Sequence, residues 1–203
     1  MIGFNNLPTN SFSKGKFIRP GSNIPLTIKD IVFETSQNHS NKKVAFFMEG
    51  EPITDENWEG YEGAAGQIGK IGVNGGYYMK TEADKMSFVK NLKDIAAKVG
   101  VLDECSNIEA ETLESFVEQI KPYLIGTKAK YFVRGSEYAK QNGTGTGLKL
   151  SFPKFNFVES IDVDDADSKL EKFDENNTWH FSKLPTTTYT NTSDSTKKDN
   201  LPF

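Results

Sequence analysis

Residues 127–138, TKAKYFVRGSEY, and residues 148–158, LKLSFPKFNFV, are the stretches that decide the fold. Both alternate aromatic or aliphatic residues with polar ones, a composition typical of strands. The segment between them, 141–147, reads QNGTGTG, and such a glycine-rich segment is typical of a flexible hairpin tip. The two stretches therefore predict a pair of adjacent strands, the fourth and fifth of the fold.

Two helical patterns precede this pair. Apolar residues recur at helical spacing in residues 82–99 and again in residues 108–123. Gly100 is expected to close the first helix, and Pro122 is expected to limit the second. Taken together, residues 82–118 are acidic on balance, which predicts that these helices lie away from any groove that binds phosphates.

Three strand-like segments come earlier still, at residues 24–35, 42–48 and 67–79. The last is punctuated by glycines, which fits a strongly curved sheet. Three strands, a helical insert and two further strands is the order of an OB-fold, a five-stranded, partly open barrel. We therefore predict a mainly β, α+β protein whose helices lie between strands three and four.

The domain is predicted to span residues 1–160, and residues 161–203 are predicted to form an acidic, Ser/Thr-rich flexible tail. Residues 162–175 read DVDDADSKLEKFDE, and eight of the eleven residues in 186–196 are Ser or Thr. Such segments bury too little apolar surface to offset the entropy of ordering them.

Charge is unevenly distributed along the chain. The net charge of -4 comes entirely from residues 161–203, since residues 1–160 are balanced. Within the domain, residues 121–160 carry seven basic and two acidic side chains, whereas residues 82–118 carry four and nine. A locally basic surface on a neutral domain suits a protein that binds phosphates without sequence preference, although ordinary charge scatter is the alternative.

The predicted fourth strand concentrates this positive charge on one face. Lys128, Lys130, Phe132 and Arg134 share that face by period-two alternation. Cations that follow phosphates, together with a ring that stacks on bases, are what single-strand binding requires. Phe132 is the first choice for the stacking ring. The alternative is a solvated edge strand whose lysines prevent aggregation.

The fifth and third strands supply further candidates for binding single-stranded DNA. For any single ring, packing in the core is an equal or better interpretation, and Pro153 indicates a bulge or edge in the fifth strand. These candidates are Lys149, Phe152, Lys154 and Phe155 in the fifth strand, with Lys70 and Tyr77 in the third.

The last residues of the chain carry a separate pattern. Residues 199–203 read DNLPF and follow the Ser/Thr-rich run. This closing segment resembles the end of bacterial and phage single-stranded DNA-binding proteins, in which an acidic run closes in Pro-Phe. The resemblance implies a tip that recruits replication or repair proteins through Asp199, Leu201, Pro202 and Phe203.

The resemblance also implies a function. A member of this family, phage-encoded or divergent bacterial, coats and protects single-stranded DNA during replication, recombination and repair. It further implies that the acidic tail competes with DNA for the basic face. The alternative is a phage structural or adaptor protein whose β-domain assembles with its neighbours and whose tail is an assembly hook.

Other classes of protein find little support in the sequence. The single cysteine, Cys105, forms no intrachain disulfide and no cysteine-based zinc site, and the two histidines are isolated. We find no nucleotide-binding loop or catalytic motif, so we expect no enzyme, no metal and no cofactor. The sequence contains no long apolar run or leader pattern, which predicts a cytoplasmic protein without membrane contact. It leaves a homo-oligomer possible.

Overall fold

The computed structural model describes residues 18–35, 42–50, 69–71, 77–139, 146–153 and 155–185. These ranges form an α+β protein in which the helices separate two groups of strands, as predicted. The strands are β1 (Gly21–Thr35), β2 (Lys42–Gly50), β3 (Gly69–Ile71), β4 (Tyr77–Tyr78), β5 (Lys128–Ala139), β6 (Thr146–Ser151), β7 (Val158–Ser160) and β8 (Phe181–Ser182). The helices are α1 (Glu82–Lys98), α2 (Leu102–Cys105) and α3 (Leu113–Leu124).

All of these strands belong to one mixed sheet. Its order is β1-β2-β3-β6-β5-β7, with β4 added to β2 and β8 added to β5. The pairings are antiparallel except those of β3 with β6 and of β5 with β8. The long strand β1 pairs with β5 along its first half and with β2 along its second half.

A register shift in β1 accompanies its pairing with both β2 and β5. The pairing with β2 shifts register between Ile28 and Asp30. Leu26 and Ile28 are fully buried before the shift, and Ile31 is fully buried after it. The extra residue thus bends the strand and keeps apolar side chains on the core face, as a β-bulge does.

The helices α1 and α3 begin at capped residues, and each buries one apolar face. The Thr81 hydroxyl accepts a hydrogen bond from the Asp84 amide, and the Asp84 carboxylate accepts one from the Thr81 amide, which forms a capping box for α1. At the start of α3, the Thr112 hydroxyl accepts a hydrogen bond from the Ser115 amide. None of the helices in the described ranges is long and apolar enough to cross a membrane.

The core lies between the sheet and these helices. Ala129, Tyr131 and Val133 of β5 are fully buried in it, together with Leu92 and Ile95 of α1. The period-two alternation predicted for residues 127–138 is therefore confirmed on this face. The helices contribute to the same core, so the opposite face of β5 is the one that they leave uncovered.

Two predicted strands differ from the strands that the structure describes. The fifth strand, predicted at 148–158, ends at Ser151, and the chain then passes Pro153 and returns as β7 on another edge of β5. The third, predicted at 67–79, contributes the short strands β3 and β4, while residues 67–68 and 72–76 lie outside the described ranges.

The flexible tail predicted to begin at residue 161 does not begin there. Residues 161–185 lie against the sheet, and this stretch is called the covering segment below. It ends in β8, which pairs with Gly135 and Ser136 of β5. Three of its own side chains are buried, those of Leu170, His180 and Phe181. Residues 186–203, including the predicted docking tip, lie outside the described ranges.

Candidate nucleic-acid interface

The face of β5 that points away from the core carries the predicted binding residues. Alternation places Lys128, Lys130, Phe132, Arg134, Ser136 and Tyr138 on it, and these six residues are called the outer face. Directly opposed residues of antiparallel strands share a face. The pairings of β5 with β6 therefore add Ser151, Lys149 and Gly147 beside Arg134, Ser136 and Tyr138.

The covering segment occupies the middle of the outer face, and Lys130 is its first anchor. The Lys130 Nζ donates to the backbone oxygen of Val163 at 2.5 Å and to Oδ1 of Asp165 at 2.8 Å. Only 15% of the Lys130 side chain is exposed. The ammonium group predicted to hold a phosphate thus holds a carboxylate and a carbonyl of its own chain.

Phe132, the first choice for the stacking ring, is 1% exposed. Its ring lies 6.2 Å from that of Phe173 and 5.0 Å from that of His180, centroid to centroid. Both neighbours belong to the covering segment. The prediction that Phe132 stacks on bases is therefore wrong for this fold, because no ring surface is left for a base.

Arg134 is engaged in a similar way. Its guanidinium carbon lies 3.6 Å from the centroid of the Trp179 ring, and its Nε donates to the backbone oxygen of Trp179. Burial lowers the pKa of Arg134 from its usual value, although a guanidinium stays charged at neutral pH. The cation–π contact joins the end of the covering segment to the sheet.

Further hydrogen bonds join the covering segment to Ser22 of β1 and link residues within the segment. The Ser22 hydroxyl donates to the backbone oxygen of Glu171 and accepts from the amide of Phe173. His180 Nδ1 accepts from the Asp174 amide at 3.0 Å, and its Nε2 lies 3.0 Å from Oε1 of Glu171. These contacts make the segment part of the folded domain.

Gly135 explains why the covering segment approaches β5 so closely. A Cβ at this position would lie 2.4 Å from Cγ of Pro20 and 2.6 Å from Cδ2 of Phe181. Phe181 itself is 3% exposed. Because Gly135 has no side chain, the Phe181 ring of β8 can pack against this part of β5.

Among the described residues, the covering segment leaves one end of the outer face exposed, and this end carries an aromatic ring. Tyr138 is 38% exposed and pairs with Gly147 of β6. Lys149 is exposed, and its Nζ lies 5.1 Å from the centroid of the Tyr138 ring. Within the described ranges no carboxylate pairs with Lys149. Lys128 is exposed at the other end of the same face.

Tyr138 is a ring on the outer face that the sequence analysis did not single out. The signal was present, because Tyr138 follows Phe132 by six residues and alternation places the two rings on one face. The covering segment then buries one ring and leaves the other exposed. That difference depends on residues some forty positions away, and no local pattern reports it.

The remaining candidates fall into three groups. Phe152 is 5% exposed and stacks on Tyr131 at 5.1 Å, so its assignment to the binding site is wrong and it is a core residue. Phe155 is 57% exposed, with Nζ of Lys90 5.1 Å from its ring. Lys154 and the side chains of Lys70 and Tyr77 lie outside the described part of the chain.

A groove on the helical side offers a contrasting surface. It has a volume of about 610 Å³ and lies between α1 and α3, where Met86 is 66% exposed. Its lining includes Glu82, Glu111 and Glu114. The balance of charge is negative, so this groove is unsuited to phosphates.

Comparison with protein families and with curated proteins finds no match for this chain. No protein-family model matches it, and none of the curated proteins matches it either. The choice among functions therefore depends on the residues described above.

Proposed function

We propose that this protein binds single-stranded DNA, with its contact at the exposed end of the outer face. The observation that carries the proposal is the pairing of an exposed ring, Tyr138, with an exposed ammonium, Lys149, on a β-sheet face. A ring that stacks on a base beside a cation that holds a phosphate is the minimal unit of single-strand binding.

The topology supports an OB-fold interpretation of the same sheet. β1 pairs with both β2 and β5, β3 pairs with β6, and the helices fall between β4 and β5. We propose that β1, β2, β3, β5 and β6 are the five strands of such a barrel, with β7, β8 and the covering segment as additions. OB-folds bind oligonucleotides across a strand face.

The proposed role is to coat and protect single strands during replication, recombination and repair. Binding of this kind tolerates sequence, because every base has a π-face, and it weakens with salt. Recruitment of partners through Asp199, Leu201, Pro202 and Phe203 is part of the proposal. It depends on the sequence alone, because those residues lie outside the described ranges.

The test is fluorescence-anisotropy binding of the full chain to labelled oligo(dT), matched duplex DNA and single-stranded RNA over a salt series. We expect a preference for single strands that weakens as salt rises. Lys149→Glu is expected to weaken binding clearly. Lys93→Glu is the matched control, since Lys93 is exposed on α1 and its reversal changes the net charge equally.

An absence of single-strand binding at low salt would overturn the proposal. Equal loss in Lys149→Glu and Lys93→Glu would also count against this interface, because it would indicate a response to net charge alone.

A second candidate function is a phage structural or adaptor protein. The observation in its favour is that Lys130, Phe132 and Arg134 are engaged by the covering segment. A purely structural domain needs no ligand on this face, and these three side chains already have partners within the chain. This candidate predicts that the protein assembles into oligomers without nucleic acid, which size-exclusion chromatography with light scattering would detect.

A further inference from the structure

Gly147 provides a seat for the ring of Tyr138. A Cβ built on Gly147 would lie 2.3 Å from Cζ of Tyr138, 2.5 Å from its Cε1 and 2.6 Å from its Oη. Real side chains essentially never approach so closely. The phenol end of Tyr138 therefore lies over the glycine backbone, in space that any other residue type would fill.

This seat fixes the ring while leaving part of it exposed. Gly147 is buried, whereas Tyr138 is 38% exposed. A tyrosine has only two side-chain torsions, so a ring held on one side is ordered at little further entropic cost. A ring that is already ordered loses less entropy when a planar ligand stacks on it.

We propose that Tyr138, seated on Gly147, is a base-stacking platform, and that Lys149 contacts the phosphate of the same stretch of single strand. The inference rests on the proposed function and deepens it by naming the subsite. The expected ligand is an unpaired nucleobase of any type, because stacking needs only a π-face. A base inside a duplex does not present this face.

A purely structural role is the competing explanation. Aromatic side chains that lie across a glycine on the neighbouring strand stabilise strand pairing. That role would make Tyr138 matter for stability and leave DNA affinity unaffected. The two roles therefore need a readout that separates them.

Gly147→Ala separates them. The clash it creates is with the tip of an exposed, flexible side chain, so the ring can turn aside while the strand pairing of β6 is kept. Tyr138 then keeps its chemistry and loses its position. Tyr138→Leu removes the ring and keeps an apolar cover for the glycine, whereas Tyr138→Phe keeps the ring.

The measurement is affinity for labelled oligo(dT) and for an abasic oligomer of equal length, with the thermal midpoint of each variant as the folding check. Tyr138→Leu and Gly147→Ala are expected to weaken oligo(dT) binding by about 5- to 150-fold per lost stack and to spare binding of the abasic oligomer. Tyr138→Phe should bind as the unsubstituted chain does. Tyr123→Leu is the matched control, because Tyr123 on α3 is 41% exposed.

The outcomes distinguish this inference from the proposed function. If the unsubstituted chain fails to bind oligo(dT), the proposed function fails, and the platform fails with it. If the chain binds but Tyr138→Leu and Gly147→Ala bind equally well, the platform alone is overturned. Equal weakening toward oligo(dT) and the abasic oligomer would also overturn it, since the ring would then not be stacking on bases.

Discussion

At the scale of single residues, Tyr131 is a buried ring whose hydroxyl lacks a partner. The side chain is fully buried and stacks on Phe152, and within the described ranges its hydroxyl makes no hydrogen bond. Burial also raises its pKa, so the phenol stays neutral. A buried donor without a partner costs about 1–3 kcal/mol, and a ring without the hydroxyl avoids that cost.

We therefore expect Tyr131→Phe to keep or raise the free energy of unfolding, by up to about 1 kcal/mol. Tyr131→Leu should lower it by about 2 kcal/mol, because the ring contacts with Phe152 and Phe157 are lost. Urea denaturation of the three proteins measures both effects. A clear loss of stability in Tyr131→Phe would mean that the hydroxyl is satisfied after all.

Glu159 is one residue from which we expect a dependence of stability on pH. It is 5% exposed and accepts a hydrogen bond from Nζ of Lys98 at 2.5 Å. Burial alone would raise the pKa of Glu159, but the hydrogen bonds from Lys98 and from the Ser160 amide outweigh it and leave this pKa below its ordinary value of 4.5. The native state therefore binds the proton less readily than the unfolded chain.

The sign of the pH effect follows from that lowered pKa. The stability contributed by Glu159 is present above about pH 4.5 and is lost as pH falls through the native pKa. Urea denaturation across this range should give a shallower pH dependence for Glu159→Gln than for the unsubstituted chain. Identical slopes in the two proteins would show that the Lys98 pair has no part in acid unfolding.

At the scale of elements, the sequence predicted strands and helices better than it predicted the covering segment. Residues 82–99 and 127–138 have a clear period, and both form the expected elements. Residues 161–185 have none, since they carry seven acidic and three basic side chains and only scattered apolar ones. Leu170 and Phe181 are buried and Phe173 is half-buried. Phe173 contacts Ser22 and Phe132, and Phe181 pairs with Gly135, and a local pattern cannot reveal such contacts.

The same mismatch explains the errors in the predicted site. Alternation correctly placed Lys130, Phe132 and Arg134 on one face, but it could not say what covers that face. Their partners are Asp165, the Phe173 and His180 rings, and Trp179. The sequence thus predicted correctly which residues share the face. It did not predict that the covering segment contacts their side chains.

The covering segment is expected to stabilise the domain. A chain ending at residue 160 should have a lower free energy of unfolding than a chain ending at residue 185, and it should bind a hydrophobic dye because Phe132 is uncovered. Both chains lack residues 186–203, so their difference isolates residues 161–185. Equal unfolding free energies would restore the prediction of a flexible tail beginning at residue 161.

At the scale of the whole molecule, the net charge of -4 is compatible with DNA binding only if the contact is local. The covering segment occupies the middle of the outer face, where Asp165 pairs with Lys130. Lys149 remains exposed at one end of it and Lys128 at the other. We therefore expect few phosphate contacts and a shallow dependence of affinity on salt.

Two lysines should separate charge used for binding from charge used for folding. Each phosphate contact to a single strand contributes a slope of about -0.7 to the plot of log affinity against log salt. Lys149→Ala is expected to reduce the slope by about that amount without loss of stability. Lys130→Ala should leave the slope unchanged and lower the unfolding free energy, because Asp165 and the Val163 carbonyl lose their donor. The reverse pattern would mean that the covering segment is displaced when DNA binds.

The bent strand β1 has a consequence for how the molecule opens. Leu26 and Thr27 each have a partner in β2 and another in β5, and the neighbouring Ile28 amide donates to the Thr127 carbonyl. Fraying of either neighbour leaves these residues held by the other. Their amide protons should therefore exchange with solvent only through global opening, and hydrogen-exchange rates at this bend would report the free energy of the whole fold.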